Sequence, residues 1–99
     1  MTGAEKPPHE KPVSLAARMI VREEGDGYAI LVDPDGPRSW ILNPVSLLVC
    51  RRLDGTRRVP ELADVARAAF RDVPDDVEDD VRDFVGRLVE AGLAEPAGS

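Results

Sequence analysis

The sequence predicts an α+β domain in which a three-stranded antiparallel meander is followed by three helices that cover one face of the small sheet. Three observations carry that expectation. Up to Leu42 the apolar residues form short runs or alternate with polar ones, as in strands, whereas after Asn43 they recur every three or four positions, as along helices. Two clusters of Gly, Pro and Asp cut the first half into pieces of strand length. Asn43-Pro44 supplies a helix start at the switch, because Asn is a preferred N-cap and Pro at the first helical position leaves no N–H unsatisfied.

Residues 1–14 are expected to be a flexible tail, since Pro7, Pro8 and Pro12 stand among Gly, Glu and Lys with few apolar residues to offset the entropy of ordering. The folded domain is expected over residues 15–95. Met19 and Val21 alternate with Arg18, Ile20 and Arg22, the pattern of a first strand with one wetter face. Gly25-Asp26-Gly27 makes a turn, and Tyr28 to Val32, rich in β-branched and apolar residues, reads as a more buried second strand. Asp33 to Pro37 is a second turn, with Pro34 fixing one backbone angle and Gly36 free to take a positive φ. Ser39 to Leu42 is the third strand. In a meander the first and third strands are edges.

Val45, Leu48, Val49 and Leu53 fall at helical spacing in the first helix, with Gly55 after Asp54 as its left-handed stop. The second helix starts near Val59-Pro60, because Leu62, Val65, Ala66, Ala69 and Phe70 form an apolar stripe and Glu61, Asp64 and Arg67 an outward face. The third follows Pro74, with Asp75, Asp76, Glu78, Asp79 and Asp80 where the helix dipole favours carboxylates, and a stripe of Val77, Val81, Phe84, Val85 and Leu88. Ala91-Gly92-Leu93 ends it. Residues 96–99 are expected to fray.

Composition excludes several classes of function. A chain of 99 residues builds one small core, here aliphatic because Tyr28, Trp40, Phe70 and Phe84 are its only aromatics. The net charge of -6 argues against nucleic acid as the partner. One cysteine, Cys50, cannot form an internal disulfide, and no apolar run is long enough to span a membrane, so a cytoplasmic protein with no membrane partner is expected. Catalysis lacks an assembled nucleophile and base, since the single histidine, His9, lies in the tail. No cofactor or metal site is expected. The carboxylates from Asp75 to Asp83 lack the loop spacing and glycine of a calcium site and read as a solvated helix face. Arg51, Arg52, Arg57 and Arg58 form one basic cluster, read as a solvated turn ahead of a partner contact.

With Leu42-Asn43, the Leu48 to Gly55 stretch ending in Leu53-Asp54-Gly55, the Glu61-Leu62-Ala63 helix start and the closing Val81, Phe84, Leu88 and Gly92-Leu93, the chain resembles the PqqD-like family over about Leu15 to Glu95. The family supplies recognition elements for ribosomally made, post-translationally modified peptides. Two positions depart from its pattern: Arg58 stands where a helix-capping Thr is frequent, which leaves capping to Thr56 or to nothing, and Trp40 replaces a smaller aliphatic residue. The resemblance implies a winged-helix-like, non-catalytic peptide chaperone. It would bind the leader of a precursor peptide as a strand added to the third strand, opposite the third helix, and present the precursor to a modifying enzyme, often a radical S-adenosylmethionine (radical SAM) enzyme. Carried onto this chain, the peptide-binding residues are Ser39, Trp40, Ile41 and Leu42 with Val77, Asp80, Val81, Phe84 and Leu88.

The residues favour the same mechanism on their own account. Ser39 to Leu42 has no Pro or Lys to protect an edge, so its backbone can accept an added strand or pair with a second copy as a homodimer. Alternation puts Trp40 and Leu42 on one face and Ser39 and Ile41 on the other. It leaves open whether Trp40 is a core aromatic or a peptide anchor. The alternative from another class is a small winged-helix DNA-binding regulator, whose recognition helix would be the third; that helix is mostly acidic here.

Overall fold

The computed structural model describes residues 11–25 and 27–97. Its elements in order are β1 (Val13–Leu15), β2 (Ile20–Gly25), β3 (Tyr28–Val32), β4 (Ser39–Leu42), α1 (Pro44–Arg51), α2 (Val59–Ala69), α3 (Val77–Glu90) and β5 (Ala94–Pro96). The meander is present as the antiparallel sheet β2-β3-β4, with β2 and β4 at its edges. Val21 in β2 and Met19 just before it pack against the core, as the alternation predicts.

A second sheet, β1 with β5, was not legible. Val13 pairs with Pro96, Ser14 with Glu95 and Leu15 with Ala94. The reading that opens the domain at Leu15 and frays it from residue 96 is therefore corrected: Val13 is fully buried, and the Ala97 N–H donates to the Pro12 carbonyl. On its other side β1 is held by the turn after α1, where the Leu15 N–H donates to the Leu53 carbonyl and the Gly55 N–H to that of Val13. Residues 1–10, with His9, lie outside the described residues, as do Asp26 and residues 98–99.

The helices begin and end for identifiable reasons. Asn43 caps α1, its Oδ1 accepting from the Ser46 N–H at 2.8 Å. That helix stops at Arg51, so Gly55, although at φ +87°, is not its stop. Its left-handed conformation instead turns the chain back onto β1. Gly36 does not use its freedom; its N–H closes an ordinary turn onto the Asp33 carbonyl. At α2 the Glu61 carboxylate accepts the Arg58 N–H at 2.8 Å, one half of a capping box. Thr56 does not cap that helix, because its hydroxyl and N–H both go to Asp54. At the end of α3, Leu93 N–H to Leu88 carbonyl and Gly92 N–H to Val89 carbonyl make a Schellman motif, with Gly92 at φ +79°.

Among the described residues all the buried ones are apolar and most are aliphatic: Ala29, Leu31 and Leu42 from the sheet meet Val49, Leu62, Ala66, Val81, Val85 and Leu88 from the helices. The aromatic Trp40 and Phe84 stand at the rim, only partly buried against this core. That placement opens the groove described next.

Candidate functional site

Strand β4 has β3 on one side and, among the described residues, no strand on the other. The register Ala29–Leu42, Ile30–Ile41, Leu31–Trp40, Val32–Ser39 continues to the Asp33 N–H, which donates to the Arg38 carbonyl. Since backbone groups of an antiparallel strand alternate sides, Arg38, Trp40 and Leu42 turn their N–H and C=O toward β3. Ser39 and Ile41 turn theirs toward the open edge.

The side chains alternate at right angles to this. Leu42 is fully buried and Trp40 half-buried on the helix side, while Ile41 is 80% exposed on the other. Trp40 packs against the core with one part of its surface and lines the groove with another.

The groove lies between β4 and α3 and has a volume of about 380 Å³, within the ordinary range of small binding clefts. Val49, Val77 and Val81 line it with apolar surface, Trp40 and Phe84 meet edge to face, and Asp80 and Arg87 add opposite charges from α3. Thus Trp40, Ile41, Val77, Asp80, Val81 and Phe84, six of the nine residues expected, line one groove. The other three do not. Ser39 is an exposed edge residue outside it, and Leu42 and Leu88 are fully buried, so their side chains belong to the core.

Sequence reasoning missed Asn43, Val45, Ser46, Val49, Pro74 and Arg87. For Arg87 a signal existed, since it stands seven residues after Asp80 on the same helix face. The α1 residues gave none, because only the tertiary fold brings that helix under the strand. A shallower hollow shares Asn43, Val45 and Pro74 with the groove and runs on to Phe70 and Val73.

Several charged groups away from the groove are engaged in the fold. Arg51 pairs with Glu23, Arg57 with Asp54 at 3.6 Å and Arg58 with Glu61 at 3.6 Å, so most of the basic cluster is neutralised. On α3, Arg82 meets Glu78 at 3.0 Å and Asp79 at 3.4 Å. Cys50 is buried, and desolvation pushes its thiol up to about 12. It is therefore a poor nucleophile at neutral pH. Hydrogen bonds from Arg18, from Thr56 and from the Arg58 backbone hold the carboxyls of Asp33, Asp54 and Glu61 below their ordinary values. Among the described residues no three His, Cys, Asp or Glu side chains cluster as a metal site, and no helix is long and apolar enough to cross a membrane.

Comparison with known proteins gives four findings. The model of the family described as coenzyme PQQ synthesis protein D (PqqD) matches residues 28–94. The solved structure of TbiB1 in complex with the TbiA(beta) leader peptide superposes with a TM-score of 0.63 at 21% identity, over 87% of this chain and 96% of that one. The heterocyclase TruD contains a similar fold, with a TM-score of 0.56 at 16% identity over 85% of this chain, which spans 11% of the heterocyclase chain. No protein among the curated sequences matches.

Proposed function

The chain belongs to the PqqD family, and we propose on that footing that it is a non-catalytic peptide chaperone for a ribosomally made precursor peptide. The leader of the precursor adds as a strand to Ser39–Leu42 and lays alternate side chains into the groove against α3. One observation carries this reading: a sheet edge with free backbone groups at Ser39 and Ile41 borders a groove with apolar and charged walls, the two parts that strand addition requires. Backbone pairing supplies affinity and the groove supplies selectivity. Two solved relatives of the fold support it, one described as bound to a leader peptide and the other as a heterocyclase. Cys50 is buried with its thiol pushed up to about 12, which argues against that residue as a nucleophile.

The second half of the proposal is the partner. The bound leader holds the precursor near a modifying enzyme, with a radical SAM enzyme as the reading to test first. Reconstitution decides it: a candidate modifying enzyme encoded beside this gene is incubated with full-length precursor, with and without this protein, and with precursor lacking its leader. Modification should require both protein and leader. Equal modification without the protein would remove the chaperone role.

A further inference from the structure

The groove carries one feature that strand addition alone does not explain, an opposite charge toward either end. Asp80 and Arg87 both line it from α3 and lie seven residues apart, about two turns or 10.5 Å along the helix. Among the described residues the Asp80 carboxylate has no ion pair or side-chain hydrogen bond, whereas its neighbours Glu78 and Asp79 are both taken by Arg82. Arg87 uses its Nε on Asp83 at 3.1 Å, in a pair whose side chains are 65% and 64% exposed. Its Nη groups remain available to a ligand.

The fold also gives this charge pair a direction. Pro74, just before α3, shares a hollow with Asn43 and Val45, just after β4, while Trp40 within β4 meets Phe84 in the third turn of the helix. Strand and helix therefore run antiparallel. The sheet is antiparallel throughout, and a further antiparallel strand continues its ladder with better-aligned hydrogen bonds than a parallel one. A peptide so added runs in the direction of α3, passing Asp80 before it reaches Arg87.

We infer that the groove selects its peptide by charge order: a Lys or Arg that meets Asp80, an apolar stretch across Trp40 and Phe84, then an Asp or Glu that meets Arg87. At about 3.3 Å per strand residue, the 10.5 Å between the two helix positions corresponds to about three peptide residues. Since side chains alternate between the two faces of a strand, the basic residue stands two or four positions before the acidic one. The inference rests on the leader-binding reading and deepens it, because two exposed residues of this chain then fix both the register and the direction of the leader. Juxtaposed like charges penalise a peptide entering backwards.

A display library of random twelve-residue peptides, panned against the wild-type protein and against the Asp80→Lys, Arg87→Glu double variant, tests this. Both side chains are exposed, and circular dichroism verifies that the variant is folded. Bound peptides are assigned to the groove by amide shifts at Ser39–Leu42. The wild type should enrich basic-before-acidic peptides and the variant the reverse order, each preferring its own set by about tenfold. Groove-binding peptides with no charge order, or with the same order for both proteins, would overturn the inference and leave the strand-addition reading standing. An absence of any peptide that shifts Ser39–Leu42 would overturn both.

Discussion

The Trp40 indole meets the Phe84 ring edge to face, with centroids 6.5 Å apart and planes inclined at 70°. The contact joins the edge strand to the third helix across the rim of the groove. Aromatic pairs in this geometry are worth about 0.5–1.5 kcal/mol beyond their burial. A double-mutant cycle of Trp40→Leu and Phe84→Leu, read by urea denaturation, should give a coupling energy in that range. Additive single effects would mean that the rings stabilise the fold independently.

Ile41→Pro separates binding from folding. The Ile41 N–H faces the open edge, so proline there removes no bond of the β3–β4 ladder. The variant should keep its circular dichroism spectrum and lose leader binding. Ile41→Lys, which keeps the N–H and changes an 80% exposed side chain, should alter stability by no more than about 0.5 kcal/mol. Undiminished binding by a folded Ile41→Pro protein would place the peptide elsewhere.

Val13 tests the ribbon that closes the fold. It is fully buried between β5 and the turn after α1, and Val13→Ala should cost about 1.5–3 kcal/mol in urea denaturation, the loss of two buried methyl groups with the cavity they leave. A cost near zero would show that β1 is not part of the cooperative unit.

The Cys50 thiol is pushed up to about 12 by burial from an ordinary value of 9.0. Its folded value lies above the unfolded one, so its contribution is intact below about pH 9 and is lost as pH rises toward 12. At pH 8 a disulfide reagent should label the native protein far more slowly than the urea-unfolded chain. Cys50→Ala should flatten the loss of stability above pH 9. Equally fast labelling of native and unfolded protein would contradict the burial.

Carboxylates set the acid side. The Arg18 guanidinium and the Asp35 N–H lower the Asp33 carboxyl, so its stabilisation is present above its ordinary value of 3.8 and lost as pH falls below it. Carbon-detected titration should find Asp33 below that value, and Arg18→Ala should return it toward the ordinary range.

Much of the fold was legible because the meander and the three helices each carry a hydrophobic period long enough to count. The three-residue strands β1 and β5 carry none, and Pro12 beside β1 and Pro96 within β5 argue for a loop; only their pairing across the chain makes them strands. Gly55 was misassigned for a related reason, since a left-handed glycine near a helix end resembles a cap until Val13 is seen to accept its N–H. In the site, alternation along β4 and the apolar stripe of α3 located both walls of the groove. The same periodicity could not separate Leu42 and Leu88, which face the core, from Trp40 and Phe84, which face its rim. That distinction depends on where the helices end the core, and so did the contribution of Val49, whereas that of Arg87 followed from its place seven residues after Asp80 on one helix face.

Where a leader binds on this protein can be measured directly. Nitrogen-15-labelled protein is titrated with synthetic leader peptides from short open reading frames beside its gene, and amide shifts are followed residue by residue. Saturable shifts at Ser39–Leu42 and along Val77–Leu88, with protection of the Ser39 and Ile41 amides from exchange, are the expected result. Saturable shifts that leave these two segments unmoved and map instead to the Arg51–Arg58 turn would contradict it.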